Sequence, residues 1–312
     1  MIRGVLLLLF LLATPSPSRG ETIYAVASRW NLIWFDSESP GTLEGSLLLT
    51  GDLDTYLAMT LEFDPRTREL YAFAYPDCPI TCPASPVHPA RIDLVTGEAS
   101  LLDWPGFPSD QVSLSDFDID PGTRELRMIL PSLANQRYSL DALELHSDQP
   151  LDTPGNFVAL AHPPAGGAHG GETLAIYYPP VASQTPHLAR LGGVAGNPPA
   201  SSGEVTVLGP IDIPHYVYGF DISPGGVAYL LAAPAGGAQA RLYRLNLETL
   251  TTEDLGAIAT PSPGLDFVYA IAAPPPGLGP SIVEVPALSR SGLVVLAMLL
   301  AAAALWRARR LA

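Results

Sequence analysis

The chain has 312 residues, 47% of them hydrophobic and 15% charged, which excludes a wholly disordered polymer. Its 33 prolines and 28 glycines argue against long helices and for many short elements joined by turns. Residues 21–288 hold all 31 acids but only 10 of the 16 arginines, and the chain has no lysine; this formal charge of −21 repels phosphate backbones and excludes nucleic acid as a partner.

Residues 1–20 have the three parts of a secretory signal: Arg3, the apolar run Val5 to Ala13, then Pro15 and Pro17 with small Ser18 and Gly20 before Glu21. The run is too short to span a ~30 Å hydrocarbon core, so export with removal by signal peptidase is expected.

From residue 21 to 273 the sequence repeats itself. Phe63-Asp64-Pro65, Phe117-Asp118-Ile119-Asp120-Pro121 and Phe220-Asp221-Ile222-Ser223-Pro224 each read as a strand and a tight turn, with a degenerate copy near Phe157 to His162 and a further start at Phe267. A second element, strand–turn–strand, recurs at Leu32 to Ser37, Ala90 to Ala99 and Leu242 to Thr249. Two hairpins per ~50 residues predict an all-β fold, a β-propeller of five four-stranded blades, over a pair of β-sandwiches. Thr22 to Thr50 has room for three strands, and Phe267 to Ala272 is one strand with nothing after it. The two are therefore expected to share a blade and close the ring. Ile23-Tyr24-Ala25-Val26, Phe63 to Tyr71 and Ile92 to Gly97 resemble the repeats of a bacterial secreted family of unknown function with propeller-like repeats. That resemblance implies the fold and brings no catalytic residues.

Few residues in the body suggest chemistry. Cys78 and Cys82, the only cysteines, stand in a proline-rich loop and are expected to form a local disulfide; a copper site with His88 is the other reading of their spacing. Asp116, Asp118 and Asp120 alternate along one strand and are the candidate calcium ligands, against the simpler reading of a strand entering its turn. No other cofactor is implied. Asp64, Asp118 and Asp221 fall at matching places in a repeat aligned on Phe-Asp, which assigns them to a shared turn. His88, His146, His162, His169, His187 and His215 include no recognised zinc spacing, and His162 and His169 flank a segment that reads as a mobile loop. With no nucleophile elbow or phosphate loop, no catalytic residue is assigned. The expected role is a non-enzymatic binding or structural module for an extracellular ligand. The alternative is a propeller-type hydrolase of extracellular polysaccharide, which needs two opposed carboxylates at the axis.

Residues 274–284 begin with Pro274-Pro275-Pro276 and read as a stiff linker. Residues 285–312 then carry Val285-Pro286-Ala287-Leu288-Ser289, Gly292, the uncharged block Gly292 to Trp306, and Arg307, Arg309 and Arg310. The block is apolar on every face and predicts a single, marginal transmembrane helix with its arginines in the cytoplasm. Val285, Pro286, Leu288, Ser289 and Gly292, followed by that helix and a basic tail, resemble sorting signals of the IPTL-CTERM type. The resemblance implies a membrane transpeptidase of the exosortase class as partner, transient anchoring in the inner membrane and delivery to the cell surface.

Overall fold

The structure is a computed structural model that describes residues 20–27, 30–76, 87–105, 116–130, 132–167, 169–180, 185–234, 239–261 and 267–278. The expected signal segment up to residue 19, Cys78 and Cys82, and the sorting motif with its apolar block lie outside them. The chain divides into two compact units, Met1–Gly279 and Pro280–Ala312. Among the described residues no helix is long and apolar enough to cross a membrane.

The first unit is a five-bladed β-propeller. Blade I takes β1 (Thr22–Ala27), β2 (Asn31–Asp36) and β3 (Leu43–Leu48) from the start of the chain. Blade II holds β4 (Thr50–Gly51), β5 (Tyr56–Phe63), β6 (Leu70–Pro76), β7 (His88–Ile92) and β8 (Glu98–Leu101); the two-residue β4 adds a parallel fifth strand outside β8. Blade III is β9 (Asp116–Ile119), β10 (Glu125–Ile129), β11 (Asn135–Ser139) and β12 (Glu144–Ser147). Blade IV is β13 (Asn156–Ala161), β14 (Thr173–Tyr178), β15 (His187–Leu191) and β16 (Val205–Pro210). Blade V is β17 (Tyr216–Ile222), β18 (Ala228–Ala233), β19 (Arg241–Leu245) and β20 (Thr252–Ala257). The last strand, β21 (Val268–Ala272), returns to pair antiparallel with β1, setting Ala25 opposite Ile271 and Val26 opposite Ala270. It is the inner strand of blade I, and the inner strands β21, β5, β9, β13 and β17 neighbour one another around a closed circle. The closure expected from the two incomplete ends is what the chain forms.

Among the described residues the buried apolar side chains form five wedges, one between each pair of adjacent blades. Between blades I and II pack Tyr24, Val26, Phe63 and Leu70; between II and III, Phe73, Phe117 and Tyr138, with Trp104 stacked on Tyr138 at 4.8 Å. The strands alternate little because each blade buries both faces: β14 is buried at every position.

One turn recurs along the face where the inner strands end. Asp64, Asp93, Asp120, Ser139 and Asn246 each accept, through the backbone carbonyl, the N–H of the residue four places on. The acid and amide side chains also take the N–H groups two and three places on, as Asp93 does from Val95 and Thr96. The fifth residue of each turn has a left-handed backbone. Gly97 meets that demand freely, whereas Arg68, Arg124, Leu143 and Leu250 adopt it with φ of 57–64°. Leu143 is 47% exposed, so its side chain gives little packing in return. Leu143→Gly is expected to stabilise the fold by about 0.5–1 kcal/mol, read as a higher urea midpoint. Ile271→Ala, in the closing strand and 4% exposed, is expected to cost about 2–5 kcal/mol in the same measurement.

Candidate functional site

Each inner strand runs into a proline, and all five prolines (Pro65, Pro121, Pro164, Pro224 and Pro275) line one small cavity of about 90 Å3 on the turn face. The position three residues before each proline holds Glu62, Asp118, Ala161, Asp221 and Ala272 in blades II, III, IV, V and I. Three blades thus place a carboxylate at the inner ring, where Glu62, Asp118 and Asp221 border the same pit. Two residues before the proline the other blades carry Phe63, Ile119, Ile222 and Ala273, and blade IV carries His162.

All of these polar side chains are buried: Glu62 is 9% exposed, Asp118 4% and Asp221 6%. Glu62 Oε1 accepts the N–H of Phe63 at 2.9 Å. Asp221 accepts two backbone N–H groups, from Ile222 at 2.6 Å and from Ala273 at 2.5 Å, the latter just past the closing strand. Asp116, one turn of the pleat above Asp118, accepts the N–H of Leu160 in blade IV at 3.1 Å. His162 Nδ1 lies 3.1 Å from Asp118 Oδ2, while its Nε2 meets the Thr173 hydroxyl at 3.0 Å. Desolvation, reinforced by Asp118, pushes the Asp221 carboxyl up to about 7. Desolvation with the charges of Asp118 and Asp221 also holds Glu62 well above the usual carboxylate range. Burial raises Asp116 likewise, over the opposing effect of the Leu160 N–H.

This arrangement corrects one expectation. Asp64, Asp118 and Asp221 are not equivalent. The turn position is held by Asp64, Asp120 and Ser223, whose backbone N–H groups bond to Glu69, Glu125 and Val227, while Asp118 and Asp221 belong to the axis with Glu62. Alignment on the proline, instead of on Phe-Asp, brings out this register. The three candidate calcium ligands are engaged separately. Asp116 is bound to Leu160, Asp118 faces His162, and Asp120 caps its turn through the N–H groups of Gly122 and Thr123. Burial pushes Asp120 up, but His162 and those turn N–H groups outweigh it and hold its carboxyl below the usual range. Among the described residues no three acid, histidine or cysteine side chains are placed to hold a metal ion.

Past His162 the chain makes a series of turns, with Gly167, Gly170 and Glu172 donating to Pro164, Gly167 and His169. Buried Glu172 meets His169 Nδ1 at 2.8 Å. This connection is longer than the turns that follow the inner strands of blades II, III and V, and with blade V it walls a second cavity of about 680 Å3. Pro163, Gly167 and His169 form one side; Val227, Arg244 and Glu253 are among the residues of the other. The first residues of the expected linker also pack back on the ring: Arg68 donates to the Pro276 carbonyl at 3.2 Å, and Leu278 joins the wedge between blades I and II.

No family model matches the sequence, and neither does any curated protein. Among solved structures, a chain of the nidogen/laminin complex is similar over 81% of this chain and 97% of that one, at 11% identity and a TM-score of 0.51. TolB from Acinetobacter baumannii is matched over 81% of this chain and 57% of that one, at 13% identity and a TM-score of 0.45. The likeness is one of fold alone.

Thr173 is 5% exposed and holds the far nitrogen of His162. Thr173→Val should therefore strand a buried imidazole nitrogen and cost about 1–3 kcal/mol in urea unfolding, with Thr173→Ser restoring most of the loss.

Proposed function

We propose that the protein is an exported β-propeller acting as a non-enzymatic binding module, with the 680 Å3 cleft between blades IV and V as its ligand site. The cleft carries this reading: it falls within the ~300–1,000 Å3 of sites for small ligands and chain segments, and mixes apolar with polar walls. Glu248 and Glu253 line it, and Arg244 is already engaged by Glu38 and Glu253, so a neutral or cationic ligand suits it better than a polyanion. A polysaccharide hydrolase is the second reading, favoured by the raised carboxyls at the axis. The size of the pit opposes it, since 90 Å3 has room for about three waters and none for a sugar ring.

Export through residues 1–20 belongs to the same proposal, as does a temporary stop at Gly292 to Trp306 with Arg307, Arg309 and Arg310 inside. An exosortase-class enzyme would then cleave in or near Val285 to Gly292 and pass the acidic domain to the surface.

Mature protein applied to an immobilised neutral polysaccharide is expected to be retained without releasing reducing ends. Thr251→Trp, at an exposed position on the cleft, should abolish retention at an unchanged melting temperature. Release of reducing ends that vanishes in Asp221→Asn would establish the hydrolase instead. Mass spectrometry of surface fractions should find the C-terminus upstream of Gly292, and intact Trp306 peptides there would exclude the sorting step.

A further inference from the structure

The axial acids sit where the ring is mechanically weakest. In blades II to V the inner strand continues directly into the second strand of the same blade, so a hairpin joins them covalently. In blade I, β21 and β1 come from opposite ends of the domain and are held only by their pairing. Asp221 of blade V is bonded to the N–H of Ala273, the first residue after β21, and so ties blade V to that closing strand. Glu21, just before β1, ties the same joint from the other side, accepting from the Ser223 and Tyr229 hydroxyls of blade V at 3.0 and 2.9 Å.

The groups facing Asp221 are almost all acidic. They are Glu62 from β5, Asp116 and Asp118 from β9, and Glu21 before β1, with the Tyr229 phenol of β18 behind Glu21. Among the described residues, His162, after β13, is the only basic side chain bordering the pit. From β21 the contact is the Ala273 backbone. Arg244, on β19, is held by Glu38 and Glu253. Carboxylates crowded this closely and taken out of water cannot all ionise without strong mutual repulsion.

We propose that Glu62 and Asp221, crowded with Asp118 around the pit, form a proton-operated latch. While Glu62 and Asp221 are neutral the ring stays shut; once they ionise, repulsion among the buried acids outweighs the stronger N–H bond from Ala273 to Asp221 and loosens the pairing of β21 with β1 ahead of every other strand pair. The inference goes beyond the binding proposal and holds whatever the cleft takes up. Its sign follows from the raised carboxyls. The folded state keeps a proton on Asp221 that the unfolded chain has already released, so the stability it contributes falls as pH rises from about 4, the unfolded value, to about 7, and Glu62, raised as well, acts in the same direction. The familiar carboxylate held below its usual range, as at Asp120, works in the opposite direction and only at lower pH.

Hydrogen exchange on the mature protein at about pH 5 and about pH 8, corrected for the intrinsic rate, tests the latch. Amides of residues 268–272 are expected to lose at least about tenfold in protection at the higher pH relative to residues 173–178 in blade IV. The urea midpoint should fall over the same interval. Glu62→Gln keeps the oxygen that accepts from Phe63 and mimics the protonated form, so it should raise the midpoint at about pH 8 and flatten the pH dependence. Exposed Glu98→Gln should do neither. A midpoint that is level or rising across the interval would overturn the proposal. So would an equal loss of protection in all five blades, or an unaltered pH dependence in Glu62→Gln.

Discussion

The pairing of β21 with β1 is the interaction on which the molecule depends. Each wedge needs two blade faces, and blade I supplies one face to the wedge with blade II and the other to the wedge with blade V. Ala270 and Ala272 pack into the first wedge, Val268 and Ile271 into the second. Without β21 both wedges lose part of their packing and the inner ring gains an open edge. The ring therefore stands or falls through one non-covalent seam, even though its other blades are continuous hairpins.

That seam explains why buried charge is tolerated beside it. The acids of the axis cost desolvation, yet they also bond across blade boundaries. Asp116 reaches Leu160 from blade III to IV, and Asp221 reaches Ala273 from blade V to I. Farther out, the joints use ion pairs. Arg124 of blade III holds buried Asp64 of blade II at 2.6 Å, and Arg244 of blade V holds Glu38 of blade I. Arginine fixes the periphery, and at the axis carboxyls and backbone N–H groups take over. This division makes the axis the part of the ring most responsive to protons.

The turn face owes its binding potential to departures from the repeat. Where the five-residue turn is kept, the face is even and its acids are consumed in capping. Blade IV departs from it: Ala161 and His162 replace an acid and an apolar residue, and the connection to Thr173 is longer. That single irregularity both places an imidazole in the pit and raises a wall of the 680 Å3 cleft. Repetition builds the scaffold, and the exception to it supplies the recess.

The sequence by itself determined the all-β character, the five units and the closing strand. These rest on short-range turn chemistry and on counting incomplete repeats, both of which lie along the chain. It also singled out Asp116, Asp118 and Asp120 as candidate ligands, but the Phe-Asp alignment assigned Asp118 and Asp221 to a turn position that Asp64, Asp120 and Ser223 occupy. Glu62 drew no notice because a lone glutamate at the end of a strand carries no local signal. Its meaning comes from Asp118 and Asp221, which are 56 and 159 residues away in the chain. Only the closure of the ring sets these three beside one another, out of water, and so drives the carboxyls of Glu62 and Asp221 above their ordinary range.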